Sequence, residues 1–262
     1  MTIAQRRAAL WASKKEPWTF NEITTSMWLD FSNPARRNII GGRFQSITDV
    51  KLTPGVVLSE SNASTRPRLD TQINGRDVAR FDSDGLFNNS LQLPLNNYTI
   101  YMVVPSLAPV GGPGGPISLR NSNNFDSEGG NGMAVTRDNN PNGVTLEAGP
   151  KTFSASPVDA VNVFQIRIEG TGVQLTTNGK QLVTGTTNTT VPQSLGGVAL
   201  GYRYFGGLNN FNVVLQLCEI VWVPFAVDTD TGLRSVGQLA HKWGAQGFLP
   251  LAHPYKAAPP TL

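Results

Sequence analysis

Two imidazoles are available to this chain for acid–base or metal chemistry. They are His241 and His253, and both lie in AHKWGAQGFLPLAHPYKAAPP (240–260). A Ser/His/Asp triad would need one of them as its base, and no such arrangement stands out in the chain. As a metal pair they are poorly supplied, because no acid or cysteine lies between or beside them to complete a coordination shell.

Paired carboxylates are the other route to hydrolytic chemistry. Acids two residues apart on one strand share a face, so an E-x-D-x-x-E run can set an acid/base and a nucleophile around a glycosidic bond. That spacing is absent, and Glu219 shares its face with Val221 and Val223. Three short acidic stretches, FDSDG (81–85), FDSEGG (125–130) and DTDTG (228–232), could offer oxygens to Ca²⁺. Turn and cap chemistry accounts for most such stretches. Asp82 and Asp84 are the calcium candidate, because they follow a strand and both carboxylates could face one ion. GYRYFGG (201–207) supplies a glycan-binding candidate of Tyr202, Arg203 and Tyr204. Exposed tyrosines stack on sugars, make protein contacts or pack in a core rim, and all three readings stay open for this stretch.

These residues need elements to hold them, and the composition favours strands. The chain has 262 residues with 27 Gly and 18 Pro, and only 15% of it is charged. Lys and Arg number 21 against 18 acids. Arg6, Arg7, Lys14 and Lys15 fall in an acid-free opening segment; taking those 4 from 21 leaves 17 against 18, so the body is near neutral. A nucleic-acid-binding body would show a basic face, and none is present. Cys218 is the single cysteine, which rules out a disulfide within the chain and a thiolate-rich zinc site. No stretch has the apolar run of a signal peptide or a membrane span, so the expected origin is the cytosol, or a particle assembled there.

TIAQRRAALWAS (2–13) has the pattern of a short amphipathic helix, too short to be stable alone. It predicts an arm, 1–25, that docks through Ile3, Arg6, Arg7, Leu10, Trp11 and Trp18 on a partner or a second copy of the chain. From Ser26 the pattern becomes many short strands separated by Gly, Pro and Asn turns, which predicts a sandwich or jelly roll over 26–262. TNGK (177–180) marks a hairpin. In FQIRIEG (164–170), Phe164, Ile166 and Ile168 face one way and Gln165, Arg167 and Glu169 the other, which predicts one buried and one wet face. NVVLQLCEIVWVPF (212–225) is apolar on both faces and reads as one covered central strand. A single helix is predicted over 228–244, with Leu233, Val236, Leu239, Ala240 and Trp243 on one stripe.

The run EIVWVPFAVDTDTGLRSVGQLAHKWG, followed by LP and HPY (219–255), resembles the ending of laminin-G-like, concanavalin A-like jelly-roll domains. WLDFS (28–32), RPRL (66–69), NGRDVARFD (74–82), YTIYMVV (98–104) and NGKQLVTG (178–185) match further landmarks in order. The resemblance implies an all-β sandwich with a short N-terminal helical arm and one C-terminal helix. It implies a structural Glu219, bonded to backbone or to a cation, and structural roles for both histidines. Such modules occur in secreted bacterial proteins and in virion proteins of tailed bacteriophages. With the docking arm, the expectation is a non-enzymatic virion component without a cofactor: a capsid decoration, collar, tail or fibre protein. Its expected partners are other virion proteins and host-surface glycans, with neither nucleic acid nor membrane. A glycan-binding attachment module is the alternative, and a glycan hydrolase a third reading.

Overall fold

The computed structural model describes residues 18–93, 97–105, 117–119, 133–136, 144–148, 151–155, 159–186, 197–204, 208–209 and 214–261. Among them the chain is an all-β sandwich of two antiparallel sheets with one α-helix on the outside. The sheet that matters for function has six strands: β1 (Met27–Asp30), β2 (Asn97–Pro105), β3 (Val161–Glu169), β4 (Gly172–Thr177), β5 (Lys180–Thr186) and β6 (Glu219–Val223). Their spatial order is β1-β6-β2-β3-β4-β5.

Alternation decides what each face meets. Phe164, Ile166 and Ile168 of β3 join Ile100, Met102, Ile220 and Trp222 against Phe44, Phe81 and Leu217 from the second sheet, forming the inner core. The opposite face of the same sheet is also covered over much of its area. Trp28, Tyr101, Val103, Val163 and Val221 pack beneath the helix α1 (Thr229–Trp243) through Val236, Leu239, Ala240 and Trp243. Burial on both faces explains why β6 is buried at every residue and reads as a continuous apolar run.

That run is two strands and not one. Val214–Leu217 pairs with Arg76–Asp82 in the second sheet, whereas β6 pairs with β1 and β2 in the first. The switch falls at Cys218, whose N–H goes to Val103 and whose carbonyl takes the N–H of Phe31. A chain crossing between sheets keeps both its faces apolar, so hydropathy alone shows no break there.

The hairpin over 177–180 is present, with Asn178 at φ 48° and Gly179 at φ 73°. Both central residues lie in the left-handed region that a two-residue loop of this hand requires. Several strands have no clear signal in the sequence. Arg43–Thr48 and Arg68–Ile73 are interior strands of the second sheet that carry polar side chains on a partly exposed face, where propensity is a poor guide.

Helix α1 begins at Asp228, which accepts the Thr231 N–H at 2.7 Å, and ends at Gly244 with φ 75°. The bonds from the Thr231 N–H and hydroxyl hold the Asp228 carboxyl below the usual aspartate range. Stabilisation from a carboxyl lowered in this way is complete above its ordinary value of 3.8 and is lost as pH falls through the lower folded value. Asp228→Ala is therefore expected to cost about 1 kcal/mol at neutral pH. Urea unfolding at a series of pH values should show that cost vanishing in strong acid.

Trp18 was expected in the docking arm, and the structure corrects this. It is 5% exposed, its N–H reaches the Pro260 carbonyl at 3.1 Å, and its ring meets Phe20 edge-on at 5.4 Å. A tryptophan buried against its own sheet and tail has no face left for a partner. Ile3, Arg6, Arg7, Leu10 and Trp11 lie outside the described residues, as do FDSEGG (125–130) and most of the glycine-rich segment 105–116.

Candidate functional site

A buried polar cluster joins four stretches far apart in sequence. Glu219 on β6 is fully buried. Its Oε1 accepts the Trp28 indole N–H at 2.7 Å, and its Oε2 accepts Trp243 Nε1 and Lys242 Nζ, both at 2.7 Å. Lys242 also reaches Asp30 Oδ2 at 2.8 Å, and Asp30 Oδ1 takes the Ser32 N–H and hydroxyl. The Lys242 carbonyl in turn accepts from Asn74 Nδ2 at 3.0 Å and Arg76 Nε at 3.1 Å. The WLDFS, NGR, Glu219 and HKWG landmarks thus meet in one place, where the last turn of α1 is fastened to the sandwich.

Burial pushes the Glu219 carboxyl upward, against the pull of Lys242. Burial also depresses the Lys242 ammonium, but the two carboxylates outweigh it and hold it above its ordinary value. Every oxygen of Glu219 and Asp30 is engaged within the protein, so the cluster has no group turned toward a substrate. It is a buried latch. Burial raises the neighbouring Cys218 thiol well above its ordinary range, with Glu219 adding to the effect, and the thiol stays protonated.

The open site lies on the same face of the six-stranded sheet, where α1 covers it only in part. A groove of about 450 Å³ runs between the first turns of α1 and the outward side chains of β3, β4 and β5. Gln165, Arg167, Gln174, Thr176 and Gln181 come from the strands; Val227, Asp228, Thr229, Gly232, Leu233 and Val236 come from the helix and its lead-in. Gly179 and His253 close one end. Strand alternation puts these polar residues outward, because their neighbours Phe164, Ile166, Val173 and Leu175 fill the inner core.

The charges in the groove are already committed. Arg167 gives Nε to the Val227 carbonyl at 2.9 Å and Nη2 to Glu169 at 2.7 Å. Asp228 is the one carboxylate among the lining residues, and both its oxygens cap α1 through Thr231. Gln174 Nε2 lies 3.4 Å from Gln181 Oε1, and the Thr176 hydroxyl 3.5 Å from Gln165 Oε1. These are long contacts, with donor and acceptor capacity to spare. The groove therefore offers amides and hydroxyls over an apolar strip, and it has no second acid to pair with Asp228.

The sequence-derived sites fare differently. Tyr202 is only 5% exposed; its hydroxyl lies 3.3 Å from Glu60 Oε2 and its ring covers Gly85. Burial pushes its phenol up to about 12. It is a rim-packing residue with no face free for a sugar, so of the three open readings the core-rim one describes Tyr202. Arg203 and Tyr204 form a two-residue strand paired with Leu208–Asn209, and their side chains lie outside the described residues. Asp82 and Asp84 lie beside different arginines. Asp84 is 3% exposed and lies 3.6 Å from Arg43, whereas Asp82 lies 3.9 Å from Arg80. No group of three or more His, Cys, Asp or Glu side chains able to hold a metal occurs among the described residues.

The groove itself was only half visible in the sequence. Alternation in FQIRIEG marks Gln165 and Arg167 as outward, and the hairpin brings Gln174 and Gln181 into adjacent strands. That the helix would lie alongside them, with His253 arriving at their end, is a tertiary fact.

No family model and no curated protein matches this chain. Solved structures share its fold. A Trypanosoma rangeli sialidase aligns over 86% of this chain and 36% of its own, with a TM-score of 0.53 and 11% identity. A GH54 α-L-arabinofuranosidase aligns over 72% of this chain and 49% of its own, with a TM-score of 0.53 and 12% identity. The chain thus spans between 36% and 49% of these two proteins, and at this identity the likeness is one of fold. The expectation of a non-enzyme is corrected on this finding. Both are glycoside hydrolases, so the fold is one that enzymes acting on glycans carry.

Proposed function

We propose that this chain is a glycan-recognising β-sandwich module, of the laminin-G-like kind its landmark residues resemble, and that the groove between α1 and β3–β5 holds the sugar. The observation that carries this reading is the groove lining. Gln165, Gln174, Gln181, Thr176 and Thr229 present amide and hydroxyl groups beside the apolar strip of Val227, Leu233 and Val236. A sugar ring has this alternation of hydroxyls and C–H faces, and concave sites with a few convergent polar groups are where small ligands bind. The fold shared with a sialidase and an arabinofuranosidase agrees with a ligand of this class.

Titration calorimetry against cellobiose, xylobiose, lactose, maltotriose and sialyllactose tests the reading. At least one sugar should bind, and the double variant Gln174→Ala/Gln181→Ala should weaken it tenfold or more, about 1.4 kcal/mol, with an unchanged unfolding midpoint. Binding of none of them would overturn it. Assay of the same mixtures for released reducing ends decides whether the groove also turns its ligand over.

A further inference from the structure

One nitrogen of His253 is accounted for and the other is not. The residue is 6% exposed. Its Nδ1 accepts the Tyr255 N–H at 3.3 Å, which leaves the proton on Nε2. Nε2 is buried and has no hydrogen-bond partner among the described residues. Burial lowers the imidazole pKa, and His241 and Lys256 add to this, so the ring is held neutral with a single N–H to give. A buried donor left without an acceptor costs about 1–3 kcal/mol, and this one lines the groove.

Gly179 lies directly against the His253 ring, and both residues line the groove. A Cβ at this position would lie 2.8 Å from His253 Cδ2 and 3.3 Å from Nε2. Its φ of 73° belongs to the hairpin turn, so the turn that sets the register of β4 and β5 also brings a backbone without a side chain against the imidazole.

What approaches this N–H has to be an acceptor, and the surrounding charges indicate its kind. An external anion would favour a helix N-terminus, but the Asp228 carboxylate already fills that of α1. Arg167 is engaged by Glu169 and by the Val227 carbonyl. No uncommitted cation is left among the lining residues, so an anion entering the groove would lose its hydration without meeting a free opposite charge.

We infer that His253 Nε2–H is a ligand-directed donor at the end of the groove, and that the ligand is a neutral sugar presenting a hydroxyl oxygen to it. The same hydroxyl gives its own proton to a glutamine carbonyl of the groove wall. This rests on the glycan reading above and narrows it to uncharged glycans. It also revises the role of His253. The Nδ1 side serves closure of the tail, and the Nε2 side serves recognition.

The test pairs calorimetry with nitrogen-15 spectra of the wild-type imidazoles. Titrating the tightest-binding neutral sugar of the panel should shift the His253 Nε2 resonance and leave His241 in place. His253→Phe should weaken that sugar at least tenfold, and His253→Gln, whose amide reaches toward the same point, should recover part of the loss. Lactose should bind at least as tightly as sialyllactose. An unmoved Nε2 resonance under saturating sugar would overturn the inference even if His253→Phe fails to fold. Undiminished binding by a folded His253→Phe would do the same while Gln174→Ala/Gln181→Ala still fails, leaving the glycan reading intact. Preference for sialyllactose over lactose would remove the neutral assignment, and a wild-type protein that binds none of the panel removes both readings.

Discussion

Lys242→Met will unfold at a much lower denaturant concentration than the wild type, with a loss of roughly 3–5 kcal/mol. The methionine keeps most of the stem and its packing, so the loss measures the charge. Removing the ammonium strands Glu219, which is fully buried, beside Asp30 with no cation between them. Burial already pushes the Glu219 carboxyl upward in the intact protein, and loss of Lys242 removes what opposed it. A carboxyl raised on folding binds its proton more tightly in the native state, so its contribution falls as pH rises. The variant should therefore regain stability on mild acidification, as Glu219 takes up a proton. The double variant Lys242→Met/Glu219→Gln should be more stable at neutral pH than Lys242→Met alone, because replacing both partners removes the stranded charge. Guanidinium unfolding of the wild type, both single variants Lys242→Met and Glu219→Gln, and the double variant across pH gives the coupling directly. A loss within experimental error of zero for Lys242→Met would show that the latch does not hold the helix.

Trp243→Ala is expected to cost about 3–5 kcal/mol through the cavity alone. The ring is fully buried between α1 and the six-stranded sheet. Trp222 provides the control, being as deeply buried on the inner face and stacked on Tyr98 at 4.5 Å. The two differ in what their indole N–H does. Trp243 Nε1 serves Glu219, whereas Trp222 Nε1 has no hydrogen-bond partner among the described residues. Phenylalanine keeps much of the volume of either ring and removes the N–H from both. Trp243→Phe should thus be the more damaging, by about 1–3 kcal/mol for a bond to a charged group. Equal costs in thermal and denaturant unfolding would mean that packing alone matters at both positions.

How much of this was legible beforehand differs from residue to residue. The six outward and inward positions of β3 followed from period-2 alternation, because a strand has only two faces. The limits of α1 followed from Asp228 and Gly244, because capping is local. Glu219 was expected to bond backbone or a cation, and its partners are the Lys242 ammonium and two indole N–H groups. Tyr202 shows the opposite case. Its context looks like an exposed aromatic pair, yet its ring lies over Gly85 and beside Phe87, a burial created by residues more than a hundred positions away. NVVLQLCEIVWVPF reads as one strand because a segment crossing between two covered sheets has no polar side to reveal the change at Cys218. Trp18 reads as arm because nothing near it in sequence forecasts the Pro260 carbonyl that receives its N–H.

The sequence by itself determined the all-β class, the alternation within β3, the Asn-Gly hairpin and the ends of helix α1. Each of these depends on interactions within a few residues, or on a period that any strand or helix must keep. Tertiary structure decided which polar residues would meet. Helix α1 is fastened at its last turn by Glu219 and Asp30, and its first turn approaches Gln165 of β3 through Gly232 beside the groove. The groove exists because of that placement, and His253 reaches it only because the chain returns past Gly179. Contacts between segments so distant in sequence depend on how two sheets and a helix pack, which no local pattern encodes.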